Sequence, residues 1–478
     1  MRFGMKRALT IFVMGAVTLV AQAPRPQLSS QAREFVKVDA PVVVLTHARV
    51  IDGTGAPARQ NQTIVIRDGR IEALGDSSRV TAPAGANIID LTGKSVIPGL
   101  VMLHEHLFYP VGPGVYGQLG MSFIRLYLAG GVTTMRTGGN LNGVMDITLK
   151  QKIDRGEIAG PAIDATAPYL EGPNPLSQMH LLKDPEDARK QVNYWADMGA
   201  TSFKAYMNIR RADLGAAIAE AHKRGLKVTG HLCSVTWGEA AELGIDNLEH
   251  GFMPATDFVP NKQPDLCPDQ AAVRQSLSTL DPDGEPFRKL LKMLIDHHVA
   301  ITSTLTVFEV SAAGRPKPPG LDVLVPPLKE QFEQIYARAS AGTTPQSQTS
   351  KALLAKDMAL ERAFAKAGGL LVAGIDPTGP GGVIPGYADQ REVELLVEEG
   401  FTPVEAISIA TLNGAKYLGR EKTIGSIATG KQADLVIVTG DPSTRISDIR
   451  NVETVFRQGV GYDPAKLIDS VKGKVGLW

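Results

Sequence analysis

Two rhythms of apolar and polar residues divide this chain. Over residues 38–97 the runs "VVVLTHARVID", "QTIVIRDGRIEALG" and "GANIIDLTGKSVIPG" set β-branched residues beside polar ones at a period of two, with Asp-Gly and Thr-Gly pairs at the turns. That is the pattern of short strands with one buried face. It returns near the other end in "GSIATGKQADLVIVTG" and "VETVFRQGV". Residues 38–97 and 423–478 are therefore expected to form the two parts of one small β-sandwich.

Residues 98–422 follow the second rhythm. Eight apolar, β-rich runs succeed one another: "VIPGLVMLHEH", "GVTTMRTGG", "GPAIDATAPYL", "ATSFKAYMN", "KVTGHLC", "NLEHG", "HVAITSTLT" and "GLLVAGIDPTG". Helical stretches separate most of them. In "DPEDARKQVNYWADMGA" Asp184 can cap, Pro185 suits the first turn and a glycine follows the end. "RADLGAAIAEAHKRG" is another such helix. Eight strand–helix units in series predict an α/β fold, a (β/α)8 TIM barrel. An open doubly wound sheet is the alternative, weakened because no glycine-rich phosphate loop follows an early strand.

A chain of 478 residues accommodates a large enclosed core and a second, smaller unit. Lysine plus arginine equals aspartate plus glutamate, 50 each, so nothing favours a nucleic acid or another polyanion as partner. The two cysteines, Cys233 and Cys267, exclude a disulfide scaffold; they could pair in an oxidising compartment, but spacing does not decide it. At the N-terminus Lys6 and Arg7 precede the apolar run "ALTIFVMGAVTLV", and "AQA" ends at Ala23. Residues 1–23 thus have the layout of a secretory signal peptide, which implies a periplasmic or extracellular protein. Pro24 is expected to hinder cleavage after Ala23, so an uncleaved N-terminal membrane anchor is the alternative. Residues 24–37 read as a linker.

The chemistry lies at the C-terminal ends of the eight runs, the face on which barrel enzymes build their sites. His104 and His106 end the first run; alternate strand residues share a face, so the two imidazoles project together and Glu105 points away. The fourth run carries Lys204, the fifth ends at His231, the sixth at His250 and the eighth at Asp376. Any one of these is a weak signal, and a lysine within an apolar strand is costly unless paired or neutralised. Six ionisable residues on one rim are not. Of the nine histidines, His47, His222, His297 and His298 read as structural, and His180, in the loop after the third run, is ambiguous.

This arrangement resembles the amidohydrolase superfamily, in the subtype whose two metal ions are bridged by a carboxylated lysine. The wording is similar to that of imidazolonepropionase-like and prolidase-like members. The tail "EEGFTPVEAISIATLNGAKYLGREKTIGSIATGKQADLVIV" resembles the family's closing segment, and the likeness covers about residues 40–475. It implies that His104, His106 and Asp376 hold one ion, that His231 and His250 hold the other, and that Lys204, carboxylated by carbon dioxide, bridges them. An aspartate usually precedes the histidine pair; Leu103 stands in "LHEH", which implies a missing partner for the histidines. Zinc is the natural metal for such a nitrogen-and-oxygen set, with manganese or iron as alternatives. The chemistry implied is attack by a bridging hydroxide on an amide carbonyl, with Asp376 as proton shuttle. Tyr206, on the same strand face as Lys204, is a candidate to steady the oxyanion, and His180 is the next candidate base.

The implied activity is hydrolysis of an amide: a dipeptide, an N-acyl amino acid or a cyclic amide. Esterase or lactonase chemistry needs the same site. A mononuclear deaminase would carry a glutamate where Ser234 stands and would lack Lys204. A metal-free binding module, the non-enzyme alternative, would be expected to have lost ligands. The small-molecule substrate is expected to bear a carboxylate, for which Arg136, Tyr169, His180, Tyr387 and Arg391 are unranked candidates. Long proline-rich segments after the sixth and seventh runs suit lids or oligomer contacts, and a homo-oligomer is left open.

Overall fold

The computed structural model describes residues 27–112, 114–173 and 179–477. The signal-peptide or anchor assignment lies outside these residues. No helix among them is long and apolar enough to cross a membrane.

The two terminal β segments join in one nine-stranded sheet. Lys94–Pro98 from the first segment runs antiparallel to Leu435–Thr439 from the last, with Val96 opposite Ile437. The hairpin Arg59–Arg67/Arg70–Asp76 turns at Asp68 and Gly69, both at positive φ (48° and 81°), as a tight Asp-Gly turn requires. Inward-facing Val43, Leu45, Ile64, Ile66, Leu435, Ile437 and Phe456 make a separate apolar core for this sheet.

The linker expectation needs correction. Ser30–Arg33 is a short helix capped by Ser29, whose hydroxyl accepts from Ala32 N at 3.1 Å. Val36–Val38 then pairs with Val460–Tyr462 at the sheet's edge. Ala32, Phe35 and Val38 are the cause: all three are buried, and the Arg125 guanidinium lies 5.1 Å from the Phe35 ring centre.

All eight predicted runs contain strands, and their named partners are parallel. Leu100–Glu105, Val132–Thr137 and Ala162–Asp164 form one sheet; Ser202–Ala205, Lys227–Gly230, Asn247–Glu249, Ala300–Ser303 and Leu371–Ala373 form another. Parallel bridges Thr166–Ser202 and Leu170–Ala205 connect the two sheets. Past the eighth strand, Ile375 N and Asp376 N donate to His104 O at 3.2 and 3.0 Å, so the last strand returns to the first. The intervening helices follow their local signals. Pro185–Met198 starts at Asp184, whose side chain accepts from Asp187 N at 2.8 Å, and stops at Gly199 in the left-handed region.

Candidate active site

The six rim residues meet at one end of the parallel strands. His104, His106, Lys204, His250 and Asp376 are buried, and His231 is half-buried. The ring centres of His104 and His250 are 4.4 Å apart, and those of His231 and His250 4.5 Å. One ligand atom each from His104, His250 and Asp376 lies within 4.8 Å of the others.

Backbone details bring them together. A Cβ at Gly374 would stand 2.5 Å from that of His104, so the eighth strand can approach the first only as glycine. His250 and Asp376 have positive φ, 73° and 49°, which is uncommon for side-chain-bearing residues and characteristic of functional sites. At His250 this breaks the strand's alternation, so the consecutive side chains of Glu249 and His250 both reach His104.

Histidine partners fix where the nitrogen lone pairs point. His106 Nδ1 lies 3.2 Å from the carbonyl of Gly139, to which it can only donate, leaving Nε2 bare and facing Asp376 Oδ1 at 3.3 Å. His104 Nδ1 lies 3.1 Å from Glu249 Oε2, turning its own Nε2 toward Asp376 Oδ2 at 3.8 Å. Lone pairs thus face a carboxylate, an arrangement that repels itself unless a cation, a shared proton or a metal ion, lies between. The donor set fits a divalent metal.

The electrostatics agree. Burial is the largest cause that holds His104, His231 and His250 well below the usual histidine value. All three are therefore uncharged at pH 7, the form in which an imidazole can ligate a metal. Burial pushes the Asp376 carboxyl up, but a proton shared with His106 outweighs it and holds it well below the usual carboxylate range. Asp376 Oδ1 also accepts from the Thr378 hydroxyl at 2.6 Å. Lys204 is held well below the ordinary lysine value by burial and then by the Arg136 guanidinium, a shift in favour of the neutral amine.

Sequence reasoning missed Glu249. Fully buried, it contacts the Lys204 amine, His104 Nδ1 and Arg136 Nη1, the last at 3.1 Å. It stands beside His104, where Leu103 was expected to leave a partner missing. Leu103 itself packs outward with Val101, Val372 and Ile424. The carboxylate next to His250 was the available signal, in a run where every other residue was read for strand or ligand.

Other candidates fall elsewhere. Arg136 is not a substrate-binding group: it is 1% exposed and donates to Leu103 O, Phe203 O and Thr229 Oγ1 across the strand interior. Arg391 is held by Glu309, Glu394 and Glu398. Tyr387 lines a different crevice, with Gly386 and Pro464. His180 pairs with Asp187 at the start of a helix, 3.3 Å away, and lines a side pocket rather than the histidine cavity. Tyr169 and Tyr206 do line that cavity, their ring centres 4.9 Å apart, and burial pushes both phenols up. Ser234 is turned away, donating to Ile209 O at 2.6 Å.

The cavity above the cluster has a volume of about 370 Å³. Cys233, on its wall, is joined by a disulfide to Cys267, which ties the segment after the sixth strand beside His231.

Comparison with known proteins matches one family profile over part of the chain and several relatives. The amidohydrolase family profile matches residues 333–461. An enamidase of Eubacterium barkeri is 30% identical over 191 residues, 37% of this chain; the chain spans less than half of that relative, 45%. An imidazolonepropionase of Porphyromonas gingivalis is 25% identical over 399 residues, 78% of this chain and 82% of its own length. Among solved structures, a Bifidobacterium longum protein provisionally assigned as a prolidase superposes with a TM-score of 0.66 at 27% identity, covering 91% of this chain and 99% of that one.

Proposed function

We propose that this chain, a member of the amidohydrolase family, is a metal-dependent hydrolase of amide C–N bonds. The observation that carries the reading is the buried convergence of His104, His250 and Asp376, one ligand atom of each within 4.8 Å of the others. His104, His106 and Asp376 would hold one ion, and His231 and His250 the other. Lys204, carboxylated, would stand between them. In support, burial and Arg136 lower the Lys204 amine well below the ordinary lysine value, in favour of the neutral form that adds carbon dioxide. Zinc suits the nitrogen-and-oxygen donors. When bound, such ions lower the pKa of water and polarise a carbonyl.

The chain's own residues do the rest. Asp376, held ionised, accepts the proton of the attacking water and delivers it to the leaving nitrogen. The Gly139 carbonyl keeps His106 in the tautomer that leaves Nε2 free, and Glu249 Oε2 stands 3.1 Å from His104 Nδ1. Tyr206, its phenol kept protonated by burial, is a donor for the developing oxyanion. A substrate carboxylate would meet tyrosine hydroxyls here rather than Arg136 or Arg391.

We read the eight parallel strands, with their return to His104, as a closed (β/α)8 barrel, and the nine-stranded sheet as its companion β-sandwich. The leader-like residues 1–23 and the Cys233–Cys267 disulfide support export to an oxidising compartment. The test is hydrolysis of dipeptides, N-acyl amino acids and cyclic amides by zinc-loaded protein. Turnover abolished by a chelator and restored by zinc is expected. Turnover of esters and lactones alone would contradict the amide reading.

A further inference from the structure

The histidine cluster is framed by rings and thioethers rather than by charge. Phe108 packs against His106 with ring centres 4.4 Å apart, and Tyr116, from the adjoining hairpin strand Val115–Gln118, lies 5.4 Å from Phe108. Against His250 instead, Phe308, from the short helix Leu305–Glu309 after the seventh strand, lies with ring centres 6.1 Å apart. Met253 and Val307 continue that wall. Among the described lining residues there is no arginine, and Lys204 is the single lysine.

Tyr116, Met253 and Phe308 are each only half-buried, though they face a cavity of about 370 Å³. Their apolar surface is left for a ligand to cover. The two apolar groups stand against different candidate ligands, His106 and His250, which suits a scissile bond set between two bulky apolar groups. Aromatic rings on a ligand could stack or meet edge-on with Phe108, Tyr116 and Phe308, and methionine adapts to irregular apolar shapes.

We infer that the substrate is an amide carrying aromatic or comparably bulky apolar groups on both sides of the scissile bond, selected by Phe108, Tyr116, Met253 and Phe308. The inference rests on the hydrolase reading above. In the reaction, water oxygen bonds to the carbonyl carbon and the C–N bond breaks. The nitrogen leaves with the proton passed through Asp376, giving a carboxylic acid and an amine. No oxidant, reductant or second substrate enters.

Four probes test this: N-benzoylphenylalanine, N-acetylphenylalanine, N-benzoylglycine and N-acetylglycine. They share one amide and one carboxylate and differ only in the ring on either side. With zinc-loaded protein, kcat/KM is expected to be highest for N-benzoylphenylalanine, by about a hundredfold or more over N-acetylglycine, because each filled apolar subsite contributes about tenfold or more. Calorimetric titration of the metal-free protein should rank the four in the same order without any turnover. Phe308→Ala and Met253→Ala should each lower kcat/KM for N-benzoylphenylalanine about tenfold, chiefly through KM, and change N-acetylglycine less than about threefold. If N-acetylglycine is turned over or bound as well as N-benzoylphenylalanine, the inference is overturned while the hydrolase reading stands. Binding in the expected order with no turnover of any amide would overturn the hydrolase reading and leave the apolar subsites in place. If none of the four binds or turns over, the inference fails.

Discussion

Glu249 Oε2 lies 3.1 Å from His104 Nδ1, and neither group reaches solvent. The same carboxylate is the counter-charge of Arg136 and contacts the Lys204 amine. One side chain thus orients a candidate ligand and neutralises the cation beneath the site. Glu249→Gln keeps the shape but weakens both effects. Metal affinity should fall about tenfold to a hundredfold, the usual cost of losing the partner of a ligating histidine. Competitive chelator titration measures it, and unchanged affinity would reduce Glu249 to a packing role.

Lys204→Ala should lose metal and turnover together. Short carboxylic acids added to the variant should restore part of both by standing in for the lost bridging carboxylate. Metal content and turnover measured with and without added acetate or propionate test this, and a variant with full metal and wild-type turnover would contradict it.

Asp376→Asn preserves shape but accepts no proton. Turnover should fall by about two powers of ten or more, the scale of a lost general base, with a smaller loss of metal. Near wild-type turnover on an amide whose leaving amine has a high pKa would make Asp376 a ligand only.

A second group of carboxylates lies away from the cavity. Asp357 and Glu361 are fully buried beside each other; burial pushes both well above the carboxylate range, with Glu392 adding to the first and Asp357 to the second. Both acids hold protons in the folded state at pH values where the unfolded chain has released them. Stability from this pair is therefore present in acid and is lost as pH rises through the raised folded values. Asp357→Asn keeps an oxygen for the Phe252 N–H, 2.7 Å away, and removes the titration. Its melting temperature relative to wild type should rise between pH 6 and pH 9; a difference independent of pH would contradict the assignment.

Reducing the Cys233–Cys267 disulfide frees a loop spanning a sequence separation of 34 residues. The loop-closure argument gives a loss of about 3–4 kcal/mol. The melting temperature should fall under reductant, and KM should rise because Cys233 forms part of the cavity wall. A Cys233→Ser/Cys267→Ser variant melting with the wild type would refute the first expectation.

The candidate ligands were legible because each ends an apolar run, and strand alternation with barrel order sends such residues to one rim. Glu249 was hidden by the same rule: alternation assigns Glu249 and His250 to opposite faces, and only the positive φ of His250 turns both inward. Arg136 looked available because its strand says nothing of the carbonyls of Leu103 and Phe203 that claim it. The segment before residue 38 looked like linker because its partner strand, Val460–Tyr462, lies at the far end of the chain. His180 was placed in the right loop, but its pairing with Asp187 draws it to a side pocket. Local pattern carries position along a strand; what faces that position from distant segments it does not carry.

The most direct test is the metal content of the purified wild-type protein after expression in zinc-supplemented medium, read by elemental analysis beside His104→Ala and His250→Ala. The account predicts about two ions per chain in the wild type, as in two-metal hydrolytic sites, and loss of both in each variant. A folded wild-type protein that carries no metal, or variants that keep the full complement, would contradict it.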